Sequence, residues 1–394
     1  MRLFGAAGVT IGRARTRRYE VAGYTVGWAR MTSPALPQRI LIVRLGAIGD
    51  VTNALVVAAA IKRHQPSVRI GWAVHPLAHP LVHGNPLVDR AHLWQRGSGL
   101  AGWRALIREL RGERYQLALD LQRLAKSAGI ARLSGAERVI GFDKRRTKEA
   151  SWIFTRERIA AGDPEAHMVE QYLEFVRHLG VEAPAPEHVL PVDPRAERWA
   201  DEWVERNGGA PLLVNLGATK PANRWSPERF GDLARAAQSE FAHPVVLTGG
   251  PDDKQRAERA RARSSDKQAT LDLVGRTSLL ELIALMRRAV CVVACDTGPM
   301  HLAAACKTPT VALFGAANPR RTGPWGQMDK VVRVPPPCAP CNLKHCNQPR
   351  HACMDDLQVE LVLEALRDTL AAQARGRGPA GSDSGPERAA RGRR

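Results

Sequence analysis

The chain has 394 residues, 44% of them hydrophobic and 25% charged, with a formal net charge of +19. That length suits two domains of ordinary size, and the composition is that of a globular protein rather than a disordered one. No apolar run approaches the roughly 18 residues needed to span a bilayer, which excludes a chain built of membrane helices.

Much of the positive charge sits at the ends. Four arginines fall between Arg13 and Arg18, and a Gly/Pro/Arg-rich tail runs from Ala374 to Arg394. Residues 1–37 and 373–394 are therefore expected to be basic, disordered extensions. The first 30 residues show no apolar core followed by a small-residue cleavage site. Either Met1 or Met31, eight residues before Arg39, is the natural start. With no export signal, a reducing cytoplasm is the default setting for the seven cysteines. The body is basic too and fits an anionic partner: nucleic acid, a phosphorylated glycolipid or an acidic membrane face.

Ile40 to Val43 is a short, wholly apolar run, as in a parallel strand covered on both faces. Gly46, Gly49 and Asp50 follow, then a helical stretch from Val51 to His64 whose apolar run, Val51 to Ile61, reads as buried. Strands are predicted at 68–74, 117–120 and 138–141, alternating with helices at 103–111 and 125–133. Prolines then crowd at Pro184, Pro186, Pro191 and Pro194, where a linker is expected. The alternation restarts with strands at 212–215, 245–248, 271–273, 290–294 and 310–314, helices at 228–241 and 278–288, and a closing helix at 357–372. Two successive βα halves of similar length predict an α/β protein with two doubly wound domains, 38–190 and 195–356, facing a central cleft.

The chemistry gathers where predicted strands end. Asp50 lies at the C-terminal end of the first strand, where a carboxylate faces the cleft and can take a proton from a hydroxyl; equally, it can cap the following helix. The turn after the strand at 212–215 carries Thr219 and two cations, Lys220 and Arg224, which are able to neutralise a departing diphosphate or are simply loop charges in solvent. Asp296-Thr297-Gly298-Pro299-Met300-His301 follows an apolar strand and opens a small-residue helix. Free N–H groups at a helix start suit a phosphate, and the aspartate suits sugar hydroxyls.

Four segments together resemble glycosyltransferase family 9, the bacterial heptosyltransferases of the lipopolysaccharide inner core. They are Ile40 to Val51; Leu119-Asp120-Leu121-Gln122-Arg123-Leu124-Ala125-Lys126-Ser127-Ala128; the basic loop from Thr219 to Pro227; and Asp296 to Ala305 with the later Thr322-Gly323-Pro324-Trp325-Gly326. The resemblance implies a GT-B architecture of two Rossmann-like domains, with acceptor held mainly by the first and nucleotide-sugar by the second. It implies inverting, metal-independent transfer from ADP-heptose to an anionic lipid-linked acceptor, Kdo–lipid A or heptosyl-Kdo. No cofactor is required, and the enzyme is expected in the cytoplasm, peripheral on the inner face of the inner membrane.

By that resemblance Asp50 is the general base. Thr297, Gly298 and Met300 surround the diphosphate, Asp296 holds the heptose hydroxyls and His301 lies beside the site. Thr219, Lys220 and Arg224 belong to the donor side; Gly49, Gln122, Arg123 and Lys126 face the acceptor. One position departs from the family: its usual lysine two residues before the tryptophan is Asn223 here, so the phosphate-contacting cation falls to Arg224 or Lys220.

Cys291, Cys295 and Cys306 read as small core residues. The compact set Cys338-x2-Cys341-x4-Cys346-x6-Cys353, with His345 and His351 nearby, is either a metal knuckle or a group of reduced loop thiols. It lies outside the transfer chemistry that the resemblance implies, for which no metal ligand is assigned. One alternative is a family-9 enzyme using another nucleotide-sugar for surface glycans. A second is a nucleic-acid-binding protein, suggested by charge alone. Aromatic content of 5% and no nucleic-acid motif weigh against it, so no nucleic-acid partner is expected.

Overall fold

The computed structural model describes residues 20–21, 24–25, 35–95, 97–182, 185–263 and 270–376. The expected disorder of the basic ends thus falls almost entirely outside the described residues. The chain divides after Ala35. Before that point, β1 (Glu20–Val21) pairs antiparallel with β2 (Tyr24–Thr25). Everything below lies in the unit beginning at Leu36.

The N-terminal lobe runs β3 (Arg39–Val43), α1 (Ile48–His64), β4 (Arg69–Val74), β5 (Arg90–Leu93), α2 (Gly99–Gly112), β6 (Leu117–Asp120), α3 (Ala125–Leu133), β7 (Arg138–Gly141), β8 (Glu157–Arg158) and α4 (Met168–His178). The C-terminal lobe runs α5 (Pro194–Arg206), β9 (Leu212–Asn215), α6 (Pro227–Glu240), β10 (Val245–Thr248), α7 (Lys254–Arg261), β11 (Leu271–Asp272), α8 (Leu279–Arg288), β12 (Cys291–Cys295), α9 (Gly298–Ala305), β13 (Thr310–Leu313), α10 (Pro319–Thr322), β14 (Val331–Val332), α11 (Ala352–Asp355) and α12 (Val359–Gly376).

Both sheets have six parallel strands in the doubly wound order, β5-β4-β3-β6-β7-β8 and β11-β10-β9-β12-β13-β14. The winding reverses between β3 and β6 in one lobe and between β9 and β12 in the other. Crevices open at the carboxyl ends of strands flanking such a reversal. The four loops that carry the sequence-predicted chemistry leave these four strands.

The central strands form because their apolar runs are buried on both faces: β6, β9, β12 and β13 are buried at every residue. Helix starts are set by local chemistry. Ser226 caps α6 by accepting from Arg229 N, Ser278 and Glu281 form a reciprocal box on α8, and Asp193 accepts from Arg195 N and Ala196 N at α5. Pro194, expected in a linker, is the first residue of α5, where its fixed φ costs nothing. That helix packs on α8, with Arg288 paired to Glu197 and Asp201 at 2.6 Å.

The closing helix starts at Val359, continues through residues expected to be tail, and packs on α6 and β13. Strands β5, β8 and β14 and helices α4, α5 and α7 add to the sequence-predicted set. Helix α1 is buried over most of its length, between α4 and α9. One apolar cluster therefore runs from Ile40, Val56 and Phe175 through to Met300 and Leu302, so the two lobes share a core.

Candidate active site

The turn after β3 puts Arg44 and Asp50 in contact. Arg44 Nη2 lies 2.5 Å from Asp50 Oδ2, and the same oxygen accepts a 3.3 Å bond from Ala47 N. Asp50 thus caps α1 and also lines the cleft, the two placements that the sequence allowed it. Burial by itself would raise its carboxyl. The Arg44 charge, reinforced by the His301 ring, the Arg44 hydrogen bond and the Ala47 N–H, holds it below the usual carboxylate range instead. It is therefore ionised at neutral pH.

Opposite stands the start of α9. Thr297 occupies the cap position in extended backbone without bonding the helix through its side chain, so Gly298 N at the helix start is left uncapped, while Met300 N donates to Thr297 O at 3.1 Å. The lobes touch here. A β-carbon on Gly298 would stand 3.0 Å from Ile48 Cβ, and one on Gly49 would overlap the His301 ring. Asn53 donates from Nδ2 to His301 Nδ1 at 3.3 Å, which puts the ring proton on Nε2. Burial pushes His301 down to about 4, so the ring is neutral.

On the donor side, Asn223 Nδ2 donates to Asp296 Oδ2 at 2.9 Å. Burial pushes the Asp296 carboxyl up to about 6, against the nearby Lys220 charge and hydrogen bonds from Thr322 and Asn223. Asn223 is itself buried, and its Oδ1 has no hydrogen-bond partner among the described residues. The loop is held from behind. Ala222 N donates to Lys344 O at 3.1 Å, His351 Nε2 donates to Ala222 O at 3.0 Å, and Trp225 Nε1 donates to Leu357 O at 2.8 Å.

Arg123, just after β6, has φ +70°, a region few non-glycine residues occupy. Such strain is held only where the surroundings over-determine it. Here Lys148 N and Ser151 Oγ both donate to Arg123 O, and the guanidinium lies 5.0 Å from the Phe142 ring centroid. Arg123 Nη2 also reaches Met168 Sδ at 3.5 Å, and Arg321 Nη2 reaches the same sulfur at 3.2 Å from the other lobe. Neither arginine has a carboxylate partner among the described residues. Two cations leaning on one thioether, with no such partner, form a positive surface able to take an anion. Gln122 Oε1 accepts from Leu45 N at 2.7 Å and so fixes the glycine turn.

The cleft has a volume of about 390 Å³. Of the sequence-predicted residues it brings together Gly49, Asp50, Gln122, Arg123, Thr219, Lys220, Asp296, Thr297, Gly298 and His301. Three stand elsewhere. Met300 is fully buried in the shared core, Lys126 stacks on Trp94 with Nζ 4.3 Å from the ring, and Arg224 Nε donates to Ala218 O at 2.9 Å. Arg44, Lys148, Arg321 and Thr322 also line the cleft. Of these, the sequence offered a signal for Arg44, inside the Ile40 to Val51 segment, and for Thr322, inside the Thr-Gly-Pro-Trp-Gly segment.

Cys291 and Cys295 are buried strand residues and Cys306 is half-buried, as expected of core positions. The other four cysteines line one small cavity behind the donor loop. Among the described residues, no three His, Cys, Asp or Glu side chains form a group able to hold a metal ion.

Residues 103–351 match the model of the family described as Glycosyltransferase family 9 (heptosyltransferase). The lipopolysaccharide heptosyltransferase 1 of Pseudomonas aeruginosa is 32% identical over 321 residues, covering 78% of this chain and 87% of that protein. The lipopolysaccharide core heptosyltransferase OpsX of Haemophilus influenzae is 25% identical over 299 residues, covering 76% and 85%. Among solved structures, the ADP-heptose lps heptosyltransferase II of E. coli superposes with a TM-score of 0.69 at 24% identity, covering 85% of this chain and 99% of that one. That likeness bears on the fold, the GT-B arrangement of two Rossmann-like lobes.

Proposed function

The chain belongs to glycosyltransferase family 9, and on that premise we propose that it moves heptose from ADP-heptose onto the inner core of lipopolysaccharide, by direct displacement at the anomeric carbon. The observation that carries the reading is the opposition of Asp50 and the uncapped start of α9 across one cleft edged with cations. The relatives' names supply the sugar and the acceptor class; the geometry supplies the roles.

The acceptor hydroxyl oxygen attacks the anomeric carbon as the bond to the ADP oxygen breaks. Its proton passes to Asp50. A carboxylate held low by Arg44 is a weak base toward a resting hydroxyl. It is adequate once the attacking oxygen gains positive character. The negative charge that grows on the diphosphate meets the N–H groups of Gly298 and His301, the α9 dipole and the Lys220 ammonium. Asp296 accepts from heptose hydroxyls. Arg123, Arg321 and Lys148 face the anionic acceptor, and Thr219 edges the donor side. Lys220 takes the phosphate-contacting role left open by Asn223. Arg224, held on the Ala218 carbonyl, does not.

In this reading no cofactor is required, since ADP-heptose is a substrate. Work is done at the cytoplasmic face of the inner membrane on a lipid-linked oligosaccharide. Among the described residues, no helix is long and apolar enough to cross a membrane. Incubation with ADP-heptose and truncated lipopolysaccharides of defined length, read by mass spectrometry, tests the proposal. One added heptose with release of ADP is expected. Transfer from a different nucleotide-sugar alone would replace the donor and keep the family.

A further inference from the structure

In the N-terminal lobe every strand of the sheet is parallel, so every carboxyl end lies on one edge. The large apolar side chains left in solvent are not scattered over this lobe. Leu77, 64% exposed, follows β4; Leu93 ends β5; and Leu100, 73% exposed, opens the next helix. On the other side of the cleft, Ile153, 63% exposed, and Phe154 form the tip of the short turn after β7. Only Leu133, at the end of α3, breaks the pattern. Single exposed apolar residues are ordinary; Ile153 and Phe154 are an adjacent exposed pair on one turn.

Charge follows the same rim. Residues 144–158 contain six Lys or Arg and two Glu. Both glutamates are engaged. Glu149 accepts from Ala125 N at 3.3 Å, and Glu157 binds Arg138 and His178, each at 2.8 Å. Lys144, Arg145, Lys148 and Arg156 have no ion pair among the described residues. Lys144 Nζ instead sits 4.5 Å from the Trp152 ring, as Lys126 does on Trp94. Apolar tips, aromatic rings and unpaired cations at one level match the layers of a charged lipid surface: acyl chain, interface and headgroup.

We propose that this rim docks on a bilayer rich in anionic glycerophospholipid, with Ile153 and Phe154 entering the acyl boundary and the surrounding lysines and arginines meeting the headgroups. The turn is tied to the cleft, since Ser151 Oγ and Lys148 N both bond Arg123 O. Docking there brings the headgroup plane to the cleft mouth, where an acceptor anchored in the same leaflet presents its sugars. The last point rests on the lipid-linked acceptor proposed above; the docking surface does not.

The test uses the full chain and vesicles of phosphatidylcholine with or without phosphatidylglycerol. Wild type should co-sediment with the mixed vesicles, less so as salt is raised, and not with phosphatidylcholine alone. Ile153→Ser/Phe154→Ser and, separately, Lys144→Glu/Arg145→Glu should each weaken binding at least about fivefold. These side chains are exposed, so an unchanged melting temperature checks the fold. Both variants should transfer heptose normally to a delipidated, soluble acceptor and poorly to one embedded in vesicles. Variants that sediment like wild type would assign any binding to the arginine-rich ends and overturn the proposal, as would wild type that ignores anionic vesicles. Absence of transfer to either acceptor would reject the enzymatic reading while leaving the sedimentation result to stand by itself.

Discussion

Gly49 and His301 meet across the cleft with no room between them. A β-carbon on Gly49 would overlap His301 Cδ2 and stand 3.1 Å from Nε2. Glycine is present here for close approach rather than for backbone freedom. The contact sets the distance between the N-terminal turns of α1 and α9, and hence between the Asp50 carboxylate and the donor phosphates in the proposed mechanism.

Gly49→Ala should therefore push the helices apart by some tenths of an ångström. Overpacking of this kind costs about 1–3 kcal/mol, and misplacement of reacting groups by a fraction of an ångström lowers turnover by about tenfold or more. Thermal melting and kcat together check this. Normal kcat with a lowered Tm would show that the contact serves packing alone.

Asp50→Asn should keep the fold and ADP binding and lower kcat by about 10²- to 10⁴-fold. The Asp50 side chain is 40% exposed, so solvent screens the loss of its ion pair and the stability cost stays small. In wild type the carboxyl lies below its ordinary value, so kcat/KM should stay flat through neutral pH and fall only in strong acid. Arg44→Met removes the main charge opposing burial. The acid limb should then move toward neutrality, as a pH–rate profile would read directly.

Asp296 titrates the other way. Burial lifts its folded value to about 6, above that of an unfolded aspartate, so the folded chain holds the proton more tightly. Stability then falls as pH rises from about 4 to about 6, and a penalty of order 1–3 kcal/mol remains at neutral pH. Asp296→Asn should raise Tm at about pH 8 and leave it nearly unchanged at about pH 3, where the wild-type residue is mainly protonated in both states. Donor KM should drop as pH rises through about 6, since the ionised carboxylate is the stronger acceptor for sugar hydroxyls.

Three cations at or beside the cleft separate by position. Lys220→Ala and Arg321→Ala should each raise KM or lower kcat by about tenfold. Arg224→Ala, whose guanidinium is held on Ala218 O, should cost less than about threefold. The reverse ranking would move the phosphate contact back to Arg224.

Asn223→Lys restores the cation that the family usually carries. An ammonium beside Asp296 should lower that carboxyl toward its ordinary range and tighten ADP binding by about three- to tenfold. The site is buried, so the longer side chain should also lower stability by about 1–3 kcal/mol. Calorimetric titration with ADP at two pH values checks both effects.

The sequence determined the architecture of both lobes, because a strand covered on two faces must be apolar along its whole length, as Ile40–Val43 and Leu212–Val214 are. It also marked turns that meet at the cleft, since Asp50 and Asp296 each follow such a run. Apart from β11, edge strands escaped it: β5 reads Arg-Ala-His-Leu, and half-covered strands need no continuous apolar signal. Only the tertiary structure decided which charges share the cleft. Arg44, Lys148 and Arg321 come off three different strands, and no local pattern links residues whose common property is the point in space they reach. The same packing sent Arg224 and Lys126 to other partners. A side chain's direction is chosen by the neighbours that folding delivers, and those neighbours are distant in the chain.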